Sequence, residues 1–403
     1  MEEYAAARRG RAPEKQNKRA LYGVIFLHGF NDMHSTALPT IIPMLAKSIS
    51  LTMSQAGILS ALFGTMNILL QPIAGYIADG LKRPWLAAFG PLLSITGASL
   101  LSLSPSFGAA LLCIGLMSTG TSLFHPQGTG GCGAAADKKR LAFFLSLFQA
   151  SGTVGSAIGP LYVVFMISMF GRRGFPLIMI PAALLVCFFL LRNMGEIPTG
   201  GAEEKEGKGA GSFVHYLRFL LSRVGWIVAI TSVRDAVFQA IKVFTPTLFV
   251  QRGSSIAMGG AVLFAVTLTA ALAGIAGGRL ADGVGEKKVV FGAIAIAPIF
   301  LIFGVRDYGM LSTASLMAGY AFLQASTPVT LAMAQRRCPE SRSLASSLTN
   351  GVSWGLANLF VTPVGVLADH IGLQATLDLV AFLPWSVTLW YGAKTLAARN
   401  RAA

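Results

Sequence analysis

Polar and apolar positions in this chain alternate on the scale of whole segments. Runs of mostly apolar residues, each near the length of about 20 that crosses a bilayer as a helix, fall at about 21–46, 54–78, 84–104, 107–131, 141–167 and 175–192, then at about 224–250, 256–281, 287–305, 311–335, 343–368 and 373–396. Between the sixth and seventh, Asn193 to Ser222 is polar. Its Gly-rich, charged core GEIPTGGAEEKEGKGAGS predicts a flexible linker. The expected organisation is a basic tail (1–20), a six-helix bundle (21–192), a linker (193–222), a second six-helix bundle (223–396) and a short tail (397–403). The predicted class is an all-α membrane protein with twelve transmembrane helices in two halves.

The first segment departs from a plain apolar run. Near its middle it carries His28, Asn31, Asp32 and His34. A charge at mid-membrane costs at least about 2.5–3.5 kcal/mol, so such a group persists only against a protein interior or a wet cavity. At 100° per residue, His28, Asn31, Asp32, Ser35 and Pro39 share one face, and His34 points away. In the seventh segment Asp235, Gln239, Lys242 and Pro246 share a face, with Arg234 one position off it.

Composition fits this picture. Charged residues are 12% of the chain against about 25% in soluble domains. The net charge of +15 could point to nucleic acid, but placement gives another reason. With both ends in the cytoplasm, 25 Lys and Arg fall on the inner side and 5 on the outer, with Arg234 and Lys242 inside a segment. That is the positive-inside rule, and no nucleic-acid partner is implied. The four cysteines show no C-x-x-C or zinc-ligand spacing, so neither a disulfide framework nor a metal site is read from them, and no cofactor is expected.

The halves repeat. Gly75-Tyr-Ile-Ala-Asp79 and Gly278-Arg-Leu-Ala-Asp282 stand 203 residues apart; Phe124-His125-Pro126 and Ser326-Thr327-Pro328, and likewise Arg140 and Arg342, stand 202 apart. Parallel repeats of this kind are a transporter architecture, with the substrate site between them near the midplane. Gly75–Arg83 (GYIADGLKR) resembles the loop 2–3 signature of the major facilitator superfamily, and Gly278–Lys288 is its second copy. Physically, Gly75 and Gly278 would admit a close helix, Asp79 and Asp282 would cap or pair across the halves, and Lys82 and Arg83 would anchor the inner surface. The alternative is an ordinary short turn. Gly152, Gly155, Gly159 and Pro160 resemble the fifth-segment motif of facilitator-type antiporters, although plain helix packing would use the same residues.

A more specific resemblance rests on His28-x-x-Asn31-Asp32-Met33, Leu70-Gln71-Pro72-x-x-Gly75-Tyr76, Pro84-Trp85, Phe124-His125-Pro126, Phe148-Gln149, Gly159-Pro160-Leu161 and Ala368-Asp369-His370. These are similar to the fosmidomycin resistance protein family, within the major facilitator superfamily. The resemblance implies the major facilitator fold and a proton-linked exporter of small drugs or metabolites in the inner membrane. One departure stands out: the family offers an acidic residue and then an arginine after His-Pro, and here Gln127-Gly128-Thr129-Gly130 carries neither.

The expected function is secondary transport of a small organic molecule, possibly anionic, coupled to protons and run by a monomer in the lipid bilayer. Export is the first reading and uptake by symport the alternative. A membrane enzyme would need a nucleophile–base set or metal ligands that the spacing does not offer, and the doubled loop with its buried charges argues against a receptor. The candidate substrate and proton pathway comprises His28, Asn31, Asp32, His125, Gln149, Arg234, Asp235, Gln239, Lys242 and Asn350. Asp32 or Asp235 is expected to carry the proton. Arg234 is expected to face Asp32 across the cavity, where an anionic substrate would compete for it.

Overall fold

The bilayer offers no hydrogen-bond partners, so apolar segments satisfy their backbone internally as helices. The computed structural model describes residues 17–35, 41, 44–45, 48–50, 53–197, 210–254, 256–306 and 309–400. Pro39, residues 1–16 and 401–403 of the expected tails, and the linker core at 198–209 lie outside the described residues.

The first half runs α1 (Lys18–Ser35), α2 (Met53–Ala78), α3 (Trp85–Leu101) and α4 (Phe107–Ala135), followed by Leu141–Met194. The Asn17 side chain accepts from the Ala20 N–H and caps α1; Ser106 accepts from the Ala109 N–H and caps α4. Leu141–Met194 is one hydrogen-bonded run with a kink at Gly171, whose φ of 70° and ψ of 172° are not helical. Positive φ of this kind suits glycine. The kink divides the run into α5 (141–170) and α6 (172–194). The outer loop expected around Arg172 and Arg173 is thus reduced to one residue. Arg172 Nε instead donates to the Ser102 carbonyl at the end of α3 (2.7 Å), fixing the corner.

The second half runs α7 (Ala210–Gln251), α8 (Ile256–Val284), α9 (Glu286–Arg306), α10 (Met310–Ala325, then Thr327–Arg337), α11 (Arg342–Ile371) and α12 (Leu373–Asn400). Within α11, Ser347–Val352 forms a π turn. The helix α7 begins inside the stretch read as a linker. There Phe213 and Tyr216 set their rings edge-on to Tyr76 of α2, so residues 210–222 are packed helix. Seven of the described helical runs are long and apolar enough by themselves to cross a membrane.

Packing repeats between halves. The helix α3 packs on α4 and α9 on α10; α2 packs on α4 and α8 on α10; α1 packs on α5 and α7 on α11. The halves meet where α5 packs on α8 and, by the same rule, α2 on α11. One apolar core is continuous across both halves at the end where α1 begins, joining Leu21, Phe148, Leu331, Met333 and Leu344. Toward the other end the core splits in two. One part holds Leu59, Ile95 and Ile114; the other holds Val237, Leu301 and Leu377. The molecule is therefore sealed between its halves at one end and divided at the other. Large apolar side chains such as Leu112, Leu161, Leu177 and Phe303 are exposed around the outside, a surface suited to lipid.

Candidate functional site

Three titratable side chains meet in the first half. From α1, His28 Nε2 lies 3.2 Å from Asp32 Oδ2 one turn on, and from α4, His125 Nε2 lies 3.5 Å from Asp32 Oδ1. Asn31 Nδ2 donates to the same Oδ1 (3.0 Å). The His28 ring stacks on Phe148 of α5 at 4.0 Å between centroids, and its Nδ1 lies 2.6 Å from the Phe148 carbonyl oxygen. That carbonyl can only accept, so Nδ1 carries the hydrogen. On a neutral ring Nε2 is then a lone pair facing a carboxylate oxygen. The two repel unless a cation, a proton or a metal, lies between them.

Close helix approach creates this arrangement. A Cβ on Gly152 of α5 would come within 2.5 Å of the His28 ring and 2.8 Å of Asp32 Oδ2, and one on Gly155 would strike the Gly29 backbone. The fifth-segment glycines thus act as a packing surface for α1. His34 points elsewhere, as the helical face predicts. Its Nδ1 lies 2.8 Å from the Phe30 carbonyl and its ring meets Tyr162 edge-on.

The second half answers differently at related positions. Arg234 and Asp235 stand 203 residues after Asn31 and Asp32, the same offset as the repeated G-x-x-A-D. Arg234 is 1% exposed. Its Nη2 lies 2.7 Å and its Nε 2.9 Å from Asp235 Oδ1, and its Nη1 donates to Thr330 Oγ1 of α10 at 3.1 Å. The expected partnership of Arg234 with Asp32 is therefore corrected: the guanidinium is held within its own half by an adjacent carboxylate and a hydroxyl. Gln239 Nε2 donates to Asn358 Oδ1 of α11 (2.8 Å). Lys242 is half-buried, with Nζ 5.9 Å from the centre of the Phe238 ring. No carboxylate pairs with it among the described residues.

Gln149 is half-buried and its carbonyl accepts from Thr153. Asn350 sits half-buried in the π turn, and π turns concentrate at functional sites. Polar residues flanking these positions mostly bind helix to helix. Thr121 Oγ1 lies 3.2 Å from Ser94 Oγ of α3, and Ser353 accepts from Ser232 of α7. The Gln127 departure has a structural role: its Oε1 accepts from the Ala87 N–H (2.8 Å) and its Nε2 donates to the Arg83 carbonyl, clamping the loop before α3. Sequence reasoning missed the α2–α4 network, in which Asn67 Oδ1 accepts from both Gln71 and Ser122. Its signal was two amides one turn apart in an apolar segment.

At the sealed end the repeated aspartates do one job twice. Asp79 accepts from the Ser343 and Leu344 N–H groups at the start of α11 (2.9 and 3.0 Å). Asp282 accepts from the Ala142 and Phe143 N–H groups at the start of α5 (3.3 and 2.9 Å). Each carboxylate caps a helix of the opposite half, where free N–H groups and the helix dipole favour an anion. The repeat glycines make room: a Cβ on Gly75 would meet Leu344 Cα at 2.9 Å, and one on Gly278 would meet the Ala142 carbonyl at 2.5 Å. Lys82 and Arg83 are exposed at this end. Arg336 joins it through Glu286 (3.0 Å) and Asp282 (3.5 Å), and Gln335 donates to the Thr129 carbonyl across the halves (3.0 Å). A groove between α1 and α6, lined by Arg19, Phe26, Phe189 and Asn193 among others, lies apart from both polar clusters.

Comparison with known proteins agrees with this architecture. Residues 24–362 match the Major Facilitator Superfamily. The chain is 28% identical to the fosmidomycin resistance protein of Escherichia coli (strain K12) over 383 residues, covering 93% of each chain. Among solved structures it superposes on the major facilitator transporter FucP in the outward conformation with a TM-score of 0.77 at 15% identity, covering 93% of this chain and 98% of that one. The human organic anion transporter MFSD10 (TETRAN) superposes with a TM-score of 0.74 at 15% identity, over 94% and 99%. The identities to solved structures carry the fold alone; the match along most of the sequence carries the family. Two six-helix halves repeated in parallel, with a capping aspartate at the same place in each, are thus those of a transporter rather than an enzyme, and the protein belongs to the major facilitator superfamily.

Proposed function

We propose that the protein exports a small organic anion across the inner membrane in exchange for protons, as a monomer with both termini in the cytoplasm. The observation that carries the proton reading is the contact of His28 and His125 with Asp32. A shared proton satisfies the facing lone pairs, and its departure leaves them in repulsion, which favours a rearrangement of α1 against α4 and α5. Asp32 sits about 14 residues into α1, or about 21 Å along a helix. It is therefore well inside the bilayer, where alternating access exposes a group to each side in turn.

Efflux is supported by the relative whose name records drug resistance. On the anion side, Lys242 takes the place first assigned to Arg234, because Arg234 is neutralised by Asp235 and Lys242 is not paired with a carboxylate among the described residues. The sealed end is the cytoplasmic one in this reading, and the structure is then outward-facing.

The test is flux in everted vesicles with a proton-gradient dye, for wild type, Asp32→Asn and Lys242→Ala. Asp32→Asn should bind substrate but no longer respond to the gradient. Lys242→Ala should weaken binding of an anionic substrate while leaving the gradient response intact. Normal gradient-driven flux in Asp32→Asn would overturn the assignment and direct attention to Asp235.

A further inference from the structure

We infer that His28, Asp32 and His125 form a site for one divalent transition-metal ion of the zinc class, in addition to any role in carrying protons. The cysteine and histidine spacings give no hint of it, because the third ligand arrives on another helix. Nitrogen and oxygen ligand atoms from the three side chains lie within 4.8 Å of one another. Two ligands each about 2.0–2.1 Å from Zn2+ at the tetrahedral angle stand about 3.3 Å apart. The two ligand edges at Asp32 are 3.2 and 3.5 Å. A charge-assisted hydrogen bond from imidazolium to carboxylate would draw these atoms to about 2.7–2.9 Å. The two edges run to different oxygens, His28 Nε2 to Oδ2 and His125 Nε2 to Oδ1, so an ion held between the rings would take the Asp32 carboxylate through both oxygens.

The surroundings of the site point the same way. His28 gives its Nδ1 hydrogen to a backbone carbonyl. This is the usual outer contact of a metal-bound histidine, fixing the tautomer so that the Nε2 lone pair is free to ligate. Phe148 stacks on that ring, and the lack of a side chain at Gly152 leaves the ring its place against α5. Asn31 orients Asp32 through Oδ1. Its side-chain amide oxygen is buried without a hydrogen-bond partner, a further ligand oxygen beside the site. His28 is buried, whereas the Asp32 and His125 side chains keep 15% and 24% of their surface open. Three protein ligands with an open side leave the fourth position to water or to an oxygen of a bound solute. The ion would use the same lone pairs as a proton, so the two compete.

The experiment uses the full-length protein purified in detergent on a non-histidine tag and stripped with chelator. Co2+ is titrated in and read by the visible bands of tetrahedral cobalt, and Zn2+ is measured against a chromophoric competitor. One equivalent should bind. His125→Ala, and the less disruptive His125→Gln, should each lose at least about tenfold in affinity while eluting as wild type on size exclusion. Asp32→Asn should do the same. The exposed His215 and His370 serve as controls, and the double variant His215→Ala/His370→Ala should bind as wild type. Sub-stoichiometric binding, wild-type affinity in the two His125 variants, or loss in the surface double variant would each overturn the site. Binding is read without flux, so failure of the proton reading leaves this result standing, and the reverse also holds.

Discussion

At the scale of single residues, the buried ion pair and the glycine contacts decide what substitutions do. Arg234→Ala would leave Asp235 buried without the cation that pairs it. Breaking such a pair costs about 3–5 kcal/mol, whereas neutralising both partners is often tolerated. Arg234→Ala should therefore lower the thermal midpoint in detergent, and the double variant with Asp235→Asn should recover much of it. A midpoint unchanged by Arg234→Ala would mean the pair contributes nothing. Gly152→Ala makes a different prediction. Its methyl group would land on the His28 ring and Asp32, so the protein should insert but lose gradient-driven flux. Gly155→Ala would strike the backbone of Gly29, which has no side chain to move aside, and should fail to accumulate. The contrast is measured by fluorescence size exclusion beside flux.

Among helices and turns, the capping aspartates link α2 to α11 and α8 to α5. Replacing a capping side chain with alanine costs about 0.5–2 kcal/mol. In the proposed transport cycle the halves part at this end and these caps are lost on opening, so each substitution should shift the population toward opening by about two- to thirty-fold. Asp79→Ala and Asp282→Ala touch different helices, and their effects should add. Asn substitutions keep one acceptor oxygen and should be milder. Cys338 in the turn between α10 and α11 offers the readout: it is buried at the sealed end, and burial pushes its thiol up to about 12. Little thiolate then exists near pH 8, and maleimide reacts slowly. Opening should restore the ordinary thiol range and speed labelling. A rate unchanged in the double alanine variant would make these turns merely structural. The kink at Gly171 belongs to this scale too. Two arginines in sequence resembled a loop, and only the packing of Arg172 against the end of α3 revealed a single-residue corner.

For the whole molecule, the shared core at one end and the split cores at the other join the halves at a single end. Twelve crossings, an even number, would place both termini on one side. Reporter tags at either end, or inserted near Gly207, should then report the same compartment, and the proposed orientation, read from the Lys and Arg distribution, makes the cytoplasm the expected one. A periplasmic signal from any of the three would break the twelve-crossing arrangement.

The sequence alone determined the membrane class, most helix bounds to within a few residues though not the start of α7, the repeat and the polar face of α1. All of these depend on local hydropathy, helical period or register, which a linear chain displays directly. It also supplied both aspartates of the repeated loop, because their surroundings recur at a fixed offset. What it left open was pairing between distant segments. Nothing in the spacing tells that His125 reaches across to Asp32, that Arg234 turns to Asp235 and Thr330 rather than to Asp32, or that Asp79 meets the first N–H groups of α11. Each of those contacts is set by how close two helices approach. That distance depends on glycines such as Gly152, Gly75 and Gly278 meeting a particular partner surface, and the partner exists only once the helices have packed.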